Sequence, residues 1–259
     1  MQLNKQKADV RRLKDMADVI YDKEWLKSAD PKMPLYFMWR NVTKSENDAK
    51  IIKNAELRYD ILEFAPMMLG IEFMKTAGHE HSLIPNTKLT YPEIYEVLKG
   101  EVYYLMQKFN DHGKVEKIYA VHCLSGDKCI IPPNFHHITI NPTKKKVRMA
   151  NWIALDNISN YDTIKQLCGA GYIAVDTDLL SSSLKNINYY KDGIRKDICW
   201  IKNKNYKSLP ALEFYSPTNF SDLGFNKNIS MYNLTSDLSK LDFLKKPQNY
   251  NNLWERILK

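Results

Sequence analysis

Several features that would assign a chain of this size to a particular class are missing from the sequence. Its longest apolar runs are short and interrupted by charges, which predicts no membrane-spanning segment. No apolar segment follows the basic residues at the N-terminus, so we predict no signal peptide. The four cysteines form no C-x-x-C pair, which favours reduced thiols and, with no export signal, a cytoplasmic location.

The sequence also lacks the signatures of nucleic-acid-binding modules. We find no helix-turn-helix, zinc-finger or RNA-binding motif, and therefore expect no nucleic-acid partner. The formal net charge of +8 has two interpretations. The lysines are either spread over a solvated surface, or they form a basic field that attracts an anionic ligand such as a phosphorylated molecule.

The hydrophobic pattern predicts an all-β fold. With 259 residues and 44% hydrophobic residues, the chain can form one packed domain with an appendage. From about Leu57 to Leu155, short alternating segments recur between turn residues, which is typical of a β-barrel or sandwich. In E-V-Y-Y-L-M-Q, alternate side chains share a face, and both faces are apolar enough to be covered: Val102, Tyr104 and Met106 on one, Tyr103 and Leu105 on the other.

Two blocks of sequence contain candidate metal ligands. In T-A-G-H-E-H, His79 and His81 are two residues apart and project from the same face of a strand, and Glu93 can join them from a neighbouring strand. The block G-D-K-C-I-I-P-P-N-F-H-H-I-T-I-N adds His137. A lone H-x-H is more often a surface or packing feature, but the two blocks together favour a metal site. Three histidines and one glutamate suit Fe(II), Mn(II), Zn(II), Ni(II) or Co(II) and leave coordination positions open.

The spacing of these blocks resembles a known superfamily. H-x-H-x11-E-x6-G followed by G-x5-P-x-N-x2-H-x3-N is similar to the two cupin motifs, with Asn134 where a glycine is usual. T-A-G-H-E-H, E-I-Y and P-P-N-F-H-H-I-T-I-N further resemble the signatures of the cupin-type glucose-6-phosphate isomerases of archaea and bacteria. The resemblance covers roughly residues 8–175.

The resemblance implies an architecture. We expect a cupin double-stranded β-helix barrel, which is jelly-roll-like, with short peripheral helices and a C-terminal extension. The expected parts are an N-terminal arm at residues 1–56, the barrel with its metal site at 57–175, and the extension at 176–259, docked on the barrel or on a partner subunit. The family further implies a homodimer, in which exchanged edge strands are covered.

The resemblance also implies roles for individual residues. It makes four residues the ligands of one divalent transition metal, with Fe(II) or Mn(II) favoured: His79, His81, Glu93 and His137. His136 falls on a non-ligand position and is expected to face away. Glu93 and Tyr95 are the candidate catalytic residues. The implied substrate-binding residues are Thr76 and Gly78 near the phosphate, Tyr95, Tyr161, and Glu63 at the position of a phosphate-associated threonine.

Three positions depart from the family pattern, all at the expected substrate end. A threonine associated with the phosphate matches Glu63, whose carboxylate would repel that group if it faced it. A histidine is replaced by Ser159, and a tyrosine is replaced by Ile153. If the phosphate binds elsewhere, Lys75 or Lys165 could supply the charge.

The leading hypothesis is a metal-dependent isomerase that interconverts glucose 6-phosphate and fructose 6-phosphate, or a close phosphosugar, in carbohydrate metabolism. Either a proton moves through a cis-enediol, with Glu93 or Tyr95 as the base, or hydride shifts directly. Three alternatives stay open: an isomerase or epimerase acting on another sugar, for example in surface-polysaccharide biosynthesis; an Fe(II) oxygenase, which the Glu-x-Tyr pairing disfavours; and a non-catalytic sugar-binding cupin.

Overall fold

The computed structural model describes residues 8–180, 189–191, 193–227 and 229–258. Residues 1–7 of the expected arm and 181–188 of the expected extension lie outside the described residues. The strands are β1 (Asp9–Arg12), β2 (Pro34–Trp39), β3 (Leu57–Phe64), β4 (Met68–Leu69), β5 (Glu72–Phe73), β6 (Glu80–His81), β7 (Glu93–Lys99), β8 (Glu101–Phe109), β9 (Val115–Leu124), β10 (Lys128–Ile131), β11 (His136–Ile140), β12 (Val147–Ala154), β13 (Ser159–Asn160), β14 (Tyr172–Asp176), β15 (Tyr189–Tyr190), β16 (Ile198–Lys202) and β17 (Glu213–Tyr215).

The helices are short. They are the α-helices α1 (Lys23–Ser28), α2 (Glu46–Asn54), α3 (Asp162–Gln166) and α4 (Asn251–Leu258), and the 3-10 helices Leu13–Val19, Thr177–Leu179, Ser221–Leu223, Met231–Ser236, Leu238–Leu244 and Pro247–Asn249. In the described part of the chain, none of them has the length and apolar character needed to cross a bilayer.

Two mainly antiparallel sheets face each other and form the barrel. One has the strand order β1-β2-β3-β12-β7-β10 and the other β11-β8-β9-β17. The chain passes from β7 in one sheet to β8 in the other at Gly100, whose φ of +88° lies in the left-handed region that glycine adopts without a steric penalty. Further strands extend the barrel in the order β15-β16-β14-β5-β4, and β13 pairs with β6. The expected all-β barrel is confirmed.

Strand β8 shows why its sequence is apolar on both faces. Val102, Tyr104 and Met106 pack inside the barrel against residues of the six-stranded sheet. Tyr103 and Leu105 point the other way and pack against strands β14 and β16. The predicted alternation in this strand is therefore confirmed, and each face buries its side chains in a different hydrophobic cluster.

Residues after 215 cover the outer face of the six-stranded sheet. Tyr59 and Trp152 on that face pack in one cluster with Tyr232, Phe243 and other apolar residues of the C-terminal helices. The Trp152 indole donates to the backbone oxygen of Met231 over 3.0 Å. The sheet therefore has two buried faces, an inner one towards the barrel interior and an outer one under the C-terminal residues.

A buried lysine joins these C-terminal residues to the sheet. Lys128 on β10 donates from Nζ to the backbone oxygens of Asn226, Lys227 and Ile229 over 2.7, 3.1 and 2.8 Å. Its Nζ lies 3.3 Å from the Glu96 carboxylate, which also accepts a 2.8 Å hydrogen bond from the backbone of Met231. Glu96 and the backbone oxygens of Asn226, Lys227 and Ile229 thus surround a buried cation, which ties the C-terminal residues to the sheet.

Candidate metal centre and substrate cavity

Four side chains from three segments of the barrel meet at one end of its interior. Each of them offers one ligand atom, and these atoms all lie within 4.8 Å of one another: His79, His81, Glu93 and His137. The backbones of His79 and His137 are joined by two hydrogen bonds of 3.2 and 3.0 Å, which set the two imidazoles side by side. His81 lies on β6, and Glu93 is the first residue of β7.

The loop that leads to Glu93 is tied to the turn that leads to His137. Thr90 and Asn134 exchange two hydrogen bonds, 2.9 Å from the Thr90 amide to Asn134 Oδ1 and 2.6 Å from the Asn134 amide to Thr90 Oγ1. Asn134 has a φ of +67°, a conformation that asparagine tolerates better than most residues. Asparagine thus replaces the usual glycine here and adds a side-chain contact that fixes the long loop.

Hydrogen bonding sets which ring nitrogen is available. Nδ1 of His81 lies 2.7 Å from the backbone oxygen of Tyr91, and since a carbonyl only accepts, this nitrogen carries the proton. His81 Nε2 is then free to act as a ligand, an arrangement that is common in metal-bound histidines. The Nε2 atoms of His81 and His137 both lie 3.3 Å from Glu93 Oε2. That oxygen is buried, and among the described residues none donates to it with good geometry.

The charge states suit a cation. Burial and the neighbouring imidazoles lower the pKa of His79 well below its usual value. Burial also lowers the pKa of His137. Burial raises the pKa of Glu93, but His137 and His81 outweigh it and bring the pKa far below the ordinary range. Neutral imidazoles beside an ionised carboxylate are the forms that bind a divalent transition metal, so the donor set fits such an ion.

A cavity opens beside this cluster. Tyr95 projects into it two residues after Glu93, and its hydroxyl lies 3.4 Å from His137 Nε2. Burial and the Glu93 charge raise the pKa of Tyr95 well above its ordinary value. Apart from three of the cluster residues and Tyr95, the cavity is lined by Tyr36, Met38, Arg40, Arg58, Asp60, Ile61, Leu62, Thr76, Ala77, Gly78, Asn151, Ile153, Asn157, Ser159 and Tyr161.

Comparison with known proteins identifies the family. The family model described as glucose-6-phosphate isomerase (GPI) matches residues 10–191, which is more than half of the chain. The chain belongs to this family. A glucose-6-phosphate isomerase from Thermococcus litoralis is 27% identical over 161 residues, which is 62% of this chain and 76% of the relative.

Solved structures similar to this isomerase-family chain cover only part of it. An oxalate oxidase bound to the substrate analogue glycolate is 22% identical, with a TM-score of 0.29, over 38% of this chain and 41% of the other. A vicilin from Corylus avellana is 14% identical, with a TM-score of 0.37, over 61% of this chain and 35% of the other. The chain thus spans less than half of each of these proteins.

Most of the residues singled out in the sequence lie at the cavity of this glucose-6-phosphate isomerase family member. Thr76, Gly78, Tyr95 and Tyr161 all line it. Gly78 has a φ of +80°, and a Cβ there would lie 2.3 Å from the Ile138 side chain, so only glycine fits.

The adjacent histidine on β11 lies elsewhere. The side chain of His136 packs against Phe109, with ring centroids 4.8 Å apart. It is not one of the four clustered residues.

The expected position of Glu63 is wrong. Glu63 does not line the cavity but lies on the opposite face of β3, where it accepts from Arg148 over 2.9 and 2.5 Å and pairs with Lys146 at 2.8 Å. The alternation of side chains along the strand is the reason. Arg58, Asp60 and Leu62 point into the cavity, so Glu63, the next residue, points to the other face.

Lys75, a suggested phosphate contact, is not available for that role. It is buried in an ion pair with Glu72 and donates to the backbone oxygen of Val19 over 2.7 Å.

Several cavity residues were missed by sequence reasoning. Arg40, Arg58 and Asp60 form an ion-paired group on the cavity wall, and Asn151 lies beside them. The available signal was the pair of charged residues two apart in L-R-Y-D-I-L, within a strand that is otherwise apolar. Two of the departures from the family pattern, Ile153 and Ser159, also line the cavity.

Proposed function

We propose that this chain is a metal-dependent aldose–ketose isomerase that interconverts glucose 6-phosphate and fructose 6-phosphate. The observation that carries the proposal is the convergence of His79, His81, Glu93 and His137 beside a cavity that also contains Tyr95, in a chain of the glucose-6-phosphate isomerase family. Four protein ligands leave coordination positions open for a substrate.

These four residues would hold one divalent transition metal, with Fe(II) or Mn(II) favoured. When bound, such an ion acts as a Lewis acid towards the carbonyl and the adjacent hydroxyl oxygen of an open-chain sugar. The residues themselves orient that ion. The Tyr91 carbonyl fixes the tautomer of His81, and the paired backbones of His79 and His137 fix their spacing.

Tyr95 and Glu93 are the proposed groups that handle the proton. The Tyr95 hydroxyl is buried in the cavity and can donate a hydrogen bond to a substrate oxygen as negative charge develops on it. Glu93 is the nearest carboxylate to Tyr95 and can accept a proton in the enediol route. In a direct hydride shift, both residues would only orient the substrate.

Thr76, Gly78 and Tyr161 are proposed to contact the substrate. Thr76 Oγ1 accepts a 3.1 Å hydrogen bond from the Thr139 amide, which leaves its own hydrogen free for a ligand oxygen. Ile153 and Ser159 give this cavity fewer large polar side chains than the family pattern has. These two positions are the reason to include other phosphosugars among the substrates tested.

The test is direct conversion followed by NMR. The purified chain, loaded with Fe(II) or Mn(II), is given either glucose 6-phosphate or fructose 6-phosphate in deuterated water, and both sugars are monitored. We expect each to form the other. Deuterium at the transferred position would indicate proton exchange through an enediol, whereas a hydride shift would leave that position without deuterium.

The absence of conversion would contradict the proposal. If the chain holds stoichiometric metal but converts neither sugar, it is not this isomerase, and other sugars should then be tried. The homodimer and the cytoplasmic location stay predictions, to be tested by light scattering and by fractionation of cells.

A further inference from the structure

Two arginines on the cavity wall share a single carboxylate. Arg40 Nη1 and Arg58 Nε each lie 3.1 Å from Asp60 Oδ2. The other oxygen, Oδ1, accepts a 2.9 Å hydrogen bond from the backbone amide of Asn41. Asp60 is almost completely buried, so both of its oxygens are engaged in holding this arrangement.

Strand register places the group opposite the proposed catalytic residues. In the pairing of β3, β12 and β7, Asp60 is level with Asn151, which is level with Tyr95. Two residues along, Arg58 is paired with Ile153, which is paired with Glu93. Residues that are paired across neighbouring strands point to the same face of the sheet, so the arginine group and the Glu93–Tyr95 pair line the same cavity.

The group carries more donors than Asp60 can satisfy. Two guanidinium groups share the single negative charge of the buried Asp60 carboxylate. Within the part of the chain that the structure describes, Arg58 hydrogen-bonds Asp60 through Nε, and its two terminal nitrogens have no partner. The Arg40 side chain is 39% exposed at the cavity mouth, where Asp9 is a second, more distant partner at 3.4 Å.

We infer that Arg40 and Arg58, held in place by Asp60, bind the phosphate of the sugar. This inference rests on the proposed function and names the charged part of its substrate site. Arginine is suited to this task because its planar fork matches two phosphate oxygens and its charge is permanent. Thr76 and Gly78 offer only neutral donors, so the arginine group supplies the charge that distinguishes a phosphosugar from a free sugar.

A purely structural ion pair is the competing interpretation, and a matched control separates the two. Arg148 is 38% exposed and pairs with the buried Glu63, as Arg40 is 39% exposed and pairs with the buried Asp60. Arg148, however, lies on the outer face of the same sheet and does not line the cavity. Arg148→Met therefore removes the same charge from a comparable ion pair without touching the proposed phosphate site.

The experiment compares Arg40→Met, Arg58→Met and Arg148→Met in the metal-loaded, full-length chain. For the first two, we expect KM for glucose 6-phosphate to rise about 10- to 100-fold with a much smaller change in kcat, since charge-assisted hydrogen bonds to the phosphate are lost. Arg148→Met should leave KM unchanged. If Arg58→Met does not fold, Arg58→Lys keeps the charge beside Asp60 but lacks the fork, and should raise KM by a smaller factor.

A second measurement does not depend on turnover. Inorganic phosphate should raise the Tm of the wild-type chain and of Arg148→Met, and should raise that of Arg40→Met and Arg58→Met much less. If the wild-type chain converts neither sugar but shows this pattern, the inference stands and the proposed function falls. If the chain is an active isomerase and the two cavity variants keep both their KM and their response to phosphate, the inference is overturned while the function stands.

Discussion

Strand β3 carries two buried carboxylates that differ mainly in which face of the sheet they take. Asp60 lies on the inner face with Arg40 and Arg58, beside the cavity. Glu63 lies on the outer face with Lys146 and Arg148, away from it. The two ion-paired groups are alike in composition, so residue type alone does not separate a substrate contact from a stabilising pair. Their positions in the strand do separate them. Successive side chains of a strand point to opposite faces, so two residues that are three positions apart lie on opposite faces.

Two adjacent histidines on strand β11 also point to opposite faces of their sheet. His137 points inward and joins the proposed metal ligands, whereas His136 points away and packs against Phe109. The inner face of the barrel thus carries the proposed metal ligands and the Asp60 ion pairs beside the cavity, whereas Glu63 and His136 make their contacts away from it. Variants on one face test this difference against variants on the other.

The largest effect is expected from His137→Ala. Removing a residue that only orients a metal ligand typically lowers metal affinity roughly 10- to 100-fold. Because His137 is itself a proposed ligand, the loss of affinity should be larger, and isomerase activity should fall to background. Metal content by elemental analysis and conversion by NMR are the measurements. His136→Ala is the control and should retain stoichiometric metal. Equal metal content in both variants would remove His137 from the ligand set.

A large loss of stability is expected from Lys128→Met on the outer face. The change leaves the Glu96 carboxylate and the backbone oxygens of Asn226, Lys227 and Ile229 without their cation, at a cost of about 3–5 kcal/mol in the free energy of unfolding. Urea denaturation measures it, and KM should not change. The double variant Lys128→Met/Glu96→Gln should recover part of the loss. A loss below about 1 kcal/mol would mean that the pair is not effectively buried.

Asp60→Asn should affect both stability and substrate binding. Arg40 and Arg58 lose their shared counter-charge, which should lower the free energy of unfolding by about 1.5–3 kcal/mol. The arginines also lose their orientation, so KM for glucose 6-phosphate should rise while kcat changes less. Urea denaturation and steady-state kinetics are the measurements. A stability loss with an unchanged KM would show that the ion-paired group serves the fold alone.

The sequence predicted that His79, His81, Glu93 and His137 come together, because they lie in motifs with fixed spacing, and alternation predicted the two faces of β8. It did not predict which face of β3 lines the cavity. That strand is covered on both sides, so its alternation is weak, and a one-residue slip moves Glu63 from one face to the other. The sequence also did not predict the contact of Lys128 with Asn226, Lys227 and Ile229. These partners are about one hundred residues away along the chain, and no periodic pattern links them.

The smallest effect is expected from Glu63, and it tests the corrected position. Burial raises the pKa of Glu63, but Lys146 and Arg148 outweigh it and lower the pKa below its ordinary value. A carboxylate with a lowered folded-state pKa stabilises the protein fully above its unfolded pKa of about 4.3, and this stabilisation is lost as pH falls through the folded pKa. Glu63→Gln should therefore cost about 1 kcal/mol at pH 7, since its partners are partly exposed.

Below about pH 4.3 the difference in unfolding free energy between wild type and Glu63→Gln should shrink as the pH falls, as urea denaturation at several pH values would show. Glu63→Thr, which restores the residue of the family pattern, should not improve KM for glucose 6-phosphate, because the side chain faces away from the cavity. Asp60→Asn, three residues earlier on the inner face, should raise that KM under the same conditions. A clear fall in KM for Glu63→Thr would instead mean that this face of β3 contacts the substrate, and the assignment of the phosphate to Arg40 and Arg58 would lose its basis in strand parity.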